Sequence, residues 1–391
     1  MKGFNRICAV ILGIVFFVAG VLKLMDPLGT SLLTEEYLNF FHLGFLRGIS
    51  KLLGMALAFL ETVTGAALIT GVWRKVTAMT SLIMLAFFTI VTLILLIANP
   101  QMDCGCFGEA VHLTHAQSFA KNLVLLLIWF LAFHFMRDLG EPQRIKYVSF
   151  ALAVIAVGLF TLYSCLSIPL QDFTEMKPGT EIMGAADGNF DDVTADIYVK
   201  NGHEGAFTQD CPPDSTWTYV RTETYDRGLI ADDAEAVMLS FSGADGQYAD
   251  SLATSGPVMI ISSYHPDKLD AGKLKKLSNL ALEAEQLGYT ALFLSAGTPD
   301  NLASEAPALL ANSYFADPRT LMTLNRSNGG ITYVRDGQIV RKWAANAVPD
   351  KTELGEILEK EPTEYMLKSS SKGKVYLQGF LLYTFAVMIL L

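Results

Sequence analysis

The chain has 391 residues, of which 51% are hydrophobic and only 17% charged, too apolar a mixture for one soluble globule. The average hides two regions, since 1–168 carries long apolar runs whereas 170–375 reads as an ordinary acidic soluble domain. A net charge of −10 without any Lys/Arg-rich block argues against nucleic acid as a partner, because neutralising phosphates needs a basic face.

The first apolar run, 7–25, follows Lys2 and Arg6. A signal peptide opens in the same way, but no small-x-small cleavage site precedes Lys23-Leu24-Met25-Asp26-Pro27, so an uncleaved helix is expected. Residues 26–51 mix Leu32, Leu33, Tyr37, Phe40 and Phe45 with Glu35, Glu36, His42 and Arg47. They read either as an amphipathic segment in the outer interface or as a helix packed over a bundle. Runs near 52–72, 76–98, 119–136 and 147–168 each approach the roughly 20 residues that cross a bilayer core, and 375–391 is a shorter last span. Lys2, Arg6, Arg74, Lys75, Arg137, Arg144 and Lys146 fall on one side. Lys23, Arg47, Lys51 and Lys121 fall on the other, where loop 99–118 has no Lys or Arg. The positive-inside rule then makes the N-terminus cytoplasmic and the soluble domain external. A multi-pass protein of the cell membrane is expected, the inner one if the host has two. Lys368, Lys372 and Lys374 run against this, but long translocated domains obey the rule weakly.

That topology puts Cys104, Cys106, Cys165 and Cys211 at or beyond the outer face and leaves Cys8 in the first span. Four thiols allow three pairings; Cys165 with Cys211 and a solitary Cys211 both stand. In Asp103-Cys104-Gly105-Cys106-Phe107-Gly108 two thiols flank one glycine, which reaches backbone angles other residues avoid. They can close a small strained ring, and strained, exposed disulfides tend to be labile or catalytic. Thiol–disulfide exchange at Cys104 and Cys106 is the expected chemistry. Two other readings stand beside it: a structural cystine that locks the loop, and a metal site of Cys104, Cys106, His112 and His115. Cys2His2 is a zinc ligand set, although this spacing matches no common zinc module.

Phe17, Ala19-Gly20, Lys23 and Asp26-Pro27 lead into Glu61, Gly65, Leu68, Gly71 and Arg74. With the Asp-Cys-Gly-Cys-Phe-Gly motif, Ser118-Phe119 and Asn122, the first 140 residues resemble the DoxX/MauE-type membrane proteins. The resemblance implies an α-helical membrane bundle. MauE-like proteins are associated with disulfide formation in a periplasmic partner enzyme, and DoxX-like ones with quinone-linked sulfur oxidation. An outer protein partner and a quinone cofactor are therefore implied. Glu61, inside a span, reads as a proton- or quinone-site carboxylate with Arg74 as a second candidate, or as a polar pin between helices. Lys23 and Arg74 are its candidate ion partners, and His134 reads as an interfacial side chain.

In the outer domain, strands are expected at 237–241, 258–262 and 291–294, with an amphipathic helix over 267–287 carrying Leu274, Leu277, Leu280, Ala281 and Ala284. A shorter helix near 303–311 precedes a hairpin of 331–334 and 339–343 around Asp336-Gly337. This succession resembles the thioredoxin fold. Where that fold carries Cys-x-x-Cys this chain has Ser262-Ser263-Tyr264-His265-Pro266-Asp267, and Asn328-Gly329-Gly330 stands in place of the cis-proline. No cysteine follows Cys211. Segment 232–366 is thus expected to dock a partner or the cysteine loop without exchanging disulfides itself. Segment 170–231 reads as a small β-rich extension and 369–374 as a short linker. The expected fold class is an α-helical membrane bundle plus an α/β thioredoxin-like domain. The expected function is that of a thiol–disulfide redox protein or subunit; the alternative is a non-catalytic assembly factor or scaffold.

Overall fold

A computed structural model describes residues 2–100, 102–134, 142–183, 193–200, 203–208, 218–225, 236–299 and 302–390. The membrane part begins with α1 (Lys2–Met25), and Asp26 caps α2 (Pro27–Phe40) by accepting from the Gly29 amide at 2.9 Å, with Pro27 in the first turn. A 3₁₀ turn, Gly44–Ile49, feeds α3 (Ser50–Thr70), followed by α4 (Arg74–Ala98). The loop after α4 holds β1 (Cys106–Glu109) and ends in a capping box, Thr114 with Gln117, that starts α5 (His115–Phe133). Next comes α6 (Arg144–Leu166).

Among the described residues six helices are long and apolar enough to cross a membrane: Gly3–Met25, Gly44–Thr70, Arg74–Ala98, His115–Phe133, Arg144–Leu166 and Pro362–Leu390. Outward-facing Ile83, Phe87, Ile90 and Ile97 on α4, Leu127 on α5 and Ile155 and Leu159 on α6 give the bundle an apolar exterior suited to lipid. α1 and α3 cross most closely. A Cβ on Gly65 would collide with the backbone of Phe17 and lie 2.7 Å from the Gly13 carbonyl oxygen, so only a hydrogen fits there. Of segment 26–51, residues 27–40 form α2, which lies outside the spanning helices and packs over α3 beside β1, while the 3₁₀ turn and the start of α3 already belong to the second apolar span.

The soluble part opens with β2 (Glu181–Met183), then β3 (Val193–Lys200), β4 (His203–Thr208) and β5 (Thr218–Tyr225), an antiparallel sheet of order β4-β3-β5 inside the expected β-rich extension. Cys211, and with it any pairing to Cys165, lies outside the described residues. The remaining strands are β6 (Ala236–Met238), β7 (Phe241–Ser242), β8 (Pro257–Ser263), β9 (Thr290–Ser295), β10 (Ser313–Ala316), β11 (Gly330–Arg335) and β12 (Gln338–Trp343). The helices are α7 (Ala271–Gln286), α8 (Leu302–Glu305), α9 (Pro307–Ala311), α10 (Pro318–Leu324), α11 (Lys351–Glu359) and α12 (Pro362–Leu390). Eight strands form one sheet, β6-β2-β12-β11-β8-β9-β10-β7, so β2 joins this sheet rather than the extension. Met238 and Phe241 sit at its opposite ends, yet three residue steps reach only about 10 Å. The sheet therefore curls until its outer strands are neighbours.

β8 and β9 run parallel through α7, and the β11–β12 hairpin lies antiparallel beside β8. Alternation along β8 sends Met259 and Ile261 towards α7 and α11, and Val258 and Ile260 to the face closed by Phe241, Leu321 and Leu324. The expected apolar stripe of α7 is buried as a whole. The expected strand 237–241 is instead β6 and β7, broken at Leu239-Ser240, and the expected helix near 303–311 is α8 and α9, interrupted before Pro307. Residues 369–374 are not a linker but part of α12, where the Ser371 hydroxyl donates to the Leu367 carbonyl at 2.7 Å and the polar run continues a helix whose Phe380 stacks on Phe160 at 4.4 Å. Packing on both flanks overrides the weak helix preference of Ser and Gly.

Candidate functional site

The cysteine loop packs on the ends of α1 and α2 that face the α/β domain. Cys104 is buried, with 5% of its surface exposed, Cys106 is half-buried, and neither thiol is bonded. Gly105 between them has φ +54°, and a Cβ there would run into the Leu33 side chain of α2. Glycine is thus required both for the turn and for its contact with α2. Tyr37 of α2 donates its hydroxyl to the Cys104 carbonyl at 2.6 Å. Burial, reinforced by the nearby thiols and carboxylates, pushes the Tyr37 phenol well up, so it stays a donor.

Cys104 Sγ lies 2.9 Å from His115 Nδ1, and His115 Nε2 lies 3.0 Å from the Pro100 carbonyl oxygen. A carbonyl only accepts, so Nε2 carries the proton and Nδ1 of the neutral ring is the acceptor facing the thiol. Nucleophile, base and orienting acceptor are in line, the arrangement of a base-assisted thiol. Burial pushes the Cys104 thiol up, the Ser118 hydroxyl draws it partly back, Cys106 and Asp103 add to the rise, and Lys121 opposes it. Ser118 Oγ is buried and meets no well-aligned hydrogen-bond partner among the described residues, so its effect on the sulfur is a weak, close polar contact. Cys104 is accordingly a thiol that donates to His115, not a preformed thiolate.

The four suggested metal ligands are not brought together. His115 serves Cys104, while His112 turns outward to Asp103 at 2.9 Å. Among the described residues no three His, Cys, Asp or Glu side chains group as a metal site. Nor do Glu61 and Arg74 converge. Glu61 pairs with Lys23 at 2.7 Å in the bundle interior, and Lys23 also lies 5.3 Å from the Phe88 ring centre. Arg74 donates to the Gly71 carbonyl beyond the far end of α3, roughly 13 Å or more along the axis from Glu61. They do not form a common quinone-binding pair. Cys8 is buried in α1, Cys165 is exposed at the end of α6, and His134 ends α5 stacked on Phe130.

The α/β domain reaches this site through Arg326. The loop between α10 and β11 lies beside the end of β8, where Asn328 exchanges hydrogen bonds with His265 and Ser263. From that loop Arg326, 5% exposed at its side chain, donates to Asp26 at 3.0 Å and to Glu109, three residues past Cys106. Burial lowers the Arg326 pKa but the two carboxylates outweigh it, so the guanidinium is held charged. Burial raises the Glu109 pKa and Arg326 recovers only part of that. Asp26, Lys51, Cys165, Tyr264 and Asn328 line the cleft between bundle and domain, so the cysteine-free end of β8 faces the bundle. Sequence reasoning missed Tyr37 and Arg326 and saw His115 only as a ligand. The signal for His115 was its place as the first residue of a capped helix.

These features define a multi-pass α-helical membrane protein with an α/β domain docked beside a two-cysteine loop. Its membrane part is MauE-like: residues 1–135 match the family described as methylamine utilisation protein MauE, and 197–225 match a domain of unknown function (DUF8463). No curated protein matches the chain. No solved structure matches it either.

Proposed function

We propose that this is a membrane thiol–disulfide redox protein acting through Cys104 and Cys106 on a protein partner outside the cytoplasm. In this reading it sits in the inner membrane with its N-terminus cytoplasmic. The observation that carries the reading is the 2.9 Å contact between Cys104 and a His115 oriented by Pro100. Exposure divides the roles. A partner thiol gives its proton to His115 Nδ1 as its sulfur attacks Sγ of the half-buried Cys106 in the loop disulfide, and the Cys104 sulfur leaves with the bonding pair and takes that proton from Nδ1. The partner's second thiolate then attacks its own sulfur in the mixed disulfide and releases Cys106. The partner loses two electrons, the loop gains two, and the partner's protons end on the loop. Run backwards, His115 is the base that readies Cys104 to resolve the mixed disulfide. Quinone, the acceptor that family resemblance implies, remains part of the proposal for reoxidising the loop, but no step is assigned to Glu61 or Arg74.

The βαβ unit followed by a hairpin beside β8 supports reading the domain as thioredoxin-like, with the cysteine-free end turned to the bundle. That same observation favours a second reading, a non-catalytic assembly factor whose loop is merely braced. Alkylation trapping of the reconstituted full chain, exposed in turn to a dithiol peptide, its disulfide form and a quinone, separates the two. The redox reading expects Cys104 and Cys106 to cycle, and Cys104→Ser to accumulate a mixed disulfide at Cys106. A pair locked in one state under all conditions sinks it in favour of the assembly factor.

A further inference from the structure

We propose that the junction of α11 and α12 is a binding site for a phosphate group, supplied by the headgroup of an anionic phospholipid. A cleft of about 360 Å³ opens between β12, α11 and the first turns of α12. Four cations, Arg341, Lys360, Lys368 and Lys372, face two carboxylates, Glu353 and Glu356. The carboxylates are already engaged: Glu353 pairs with Arg341 at 2.9 Å and Glu356 with Lys360 at 2.9 Å. Lys368 and Lys372 are exposed and meet no carboxylate among the described residues.

Helical geometry aims the surplus charge into the cleft. Tyr365, Lys368, Ser369 and Lys372 recur at three- and four-residue spacing and so share one stripe of α12. Tyr365 closes the inner wall, with its ring centre 5.3 Å from the Arg341 guanidinium, and the Ser369 hydroxyl is an added donor. The stripe lies at the level of lipid headgroups. Phe380 is level with Phe160 inside the bundle, and Gly373 packs on the Leu170 carbonyl, just past the end of α6 at Leu166. At about 1.5 Å per residue, Lys372 and Lys368 then span the few ångströms of the polar layer above the hydrocarbon core. Two lysines facing a polar cleft at that depth match a phosphodiester oxygen pair. They also account for basic residues on a side of the membrane where the charge rule places few.

The test uses the full chain in nanodiscs of zwitterionic lipid, with and without added anionic phospholipid, and with inorganic phosphate as a separate addition. Thermal stability and lipid retention by native mass spectrometry are the readouts. Anionic lipid should raise the melting temperature, and K368Q/K372Q should weaken its retention roughly 30-fold while leaving stability in zwitterionic lipid unchanged. K374Q, on the opposite face of the helix, should bind as the parent does. If inorganic phosphate alone gives the full shift, the same site takes a soluble phosphate compound rather than lipid. An effect that survives K368Q/K372Q, or that K374Q abolishes equally, overturns the proposal in favour of diffuse surface charge.

Discussion

Cys104 and His115 stand eleven residues apart, joined by a loop whose other thiol is the accessible one. Because burial raises the Cys104 pKa, the thiol form is the folded protein's preferred state, and thiolate appears only as pH climbs through that raised value. In a Cys106→Ser background, alkylation of Cys104 should therefore fall about tenfold per pH unit below its pKa and trail an ordinary cysteine throughout. His115→Ala should slow exchange by roughly a hundredfold by removing the base. A Cys104 profile matching that of a free thiol, unchanged in His115→Ala, would show that neither burial nor the imidazole governs it. Gly105 gives a second test at this scale. Gly105→Ala places an L residue at φ +54°, at a cost of about 1–2 kcal/mol, and drives its Cβ into Leu33. Melting temperature should drop, and adding Leu33→Ala should recover the steric part but not the backbone part.

At the scale of elements, α1 and α3 lean on each other where Gly65 meets the Phe17 backbone. Gly65→Ala should destabilise the bundle by about 1–3 kcal/mol, because backbone cannot yield as a side chain does. Gly158→Ala on α6, where a Cβ meets nothing within 4 Å, should be silent in the same thermal assay. Equal effects at both positions would mean the crossing is looser than described. The spans were legible because about 20 apolar residues in a row leave few alternatives, and α7 because five of its apolar residues recur at helical spacing. The start of α12 was hidden, since Ser369-Ser370-Ser371-Lys372-Gly373-Lys374 carries linker composition and only its packing keeps it helical. The curled sheet was hidden too. β2 pairs with β12 through Glu181 and Gln338, and no local pattern announces a partner so far along the chain. The site divides in the same way: the two cysteines announce themselves in one hexapeptide, whereas the base, the Tyr37 brace and Arg326 depend on contacts that only folding creates.

For the whole molecule, the question is what couples the α/β domain to the cysteine loop. Arg326 reaches across 217 sequence positions to Glu109 and 300 to Asp26, and is nearly inaccessible to water. Asp172 and Lys342, 2.6 Å apart, tie the segment after α6 to β12, and Glu36 with Arg319 at 3.7 Å is an outer contact. Removing a buried cation that serves two carboxylates leaves both uncompensated, so Arg326→Gln should cost about 3 kcal/mol and loosen the loop along with the domain. Glu109→Gln should behave differently. The folded-state pKa of Glu109 is raised because burial outweighs Arg326, so its ionisation opposes folding. Its contribution to stability is full below the ordinary carboxylate range and is lost as pH rises through the raised value. Glu109→Gln should remove that slope and cost far less than Arg326→Gln at neutral pH. Hydrogen exchange across 103–109, followed with the melting curve, separates the outcomes. Faster exchange in Arg326→Gln with near-parental exchange in Glu109→Gln means that Asp26 and the guanidinium hold the domain while Glu109 only reports its position. If both variants free the loop equally, Glu109 is itself the tether, and the domain governs the cysteines through that single carboxylate.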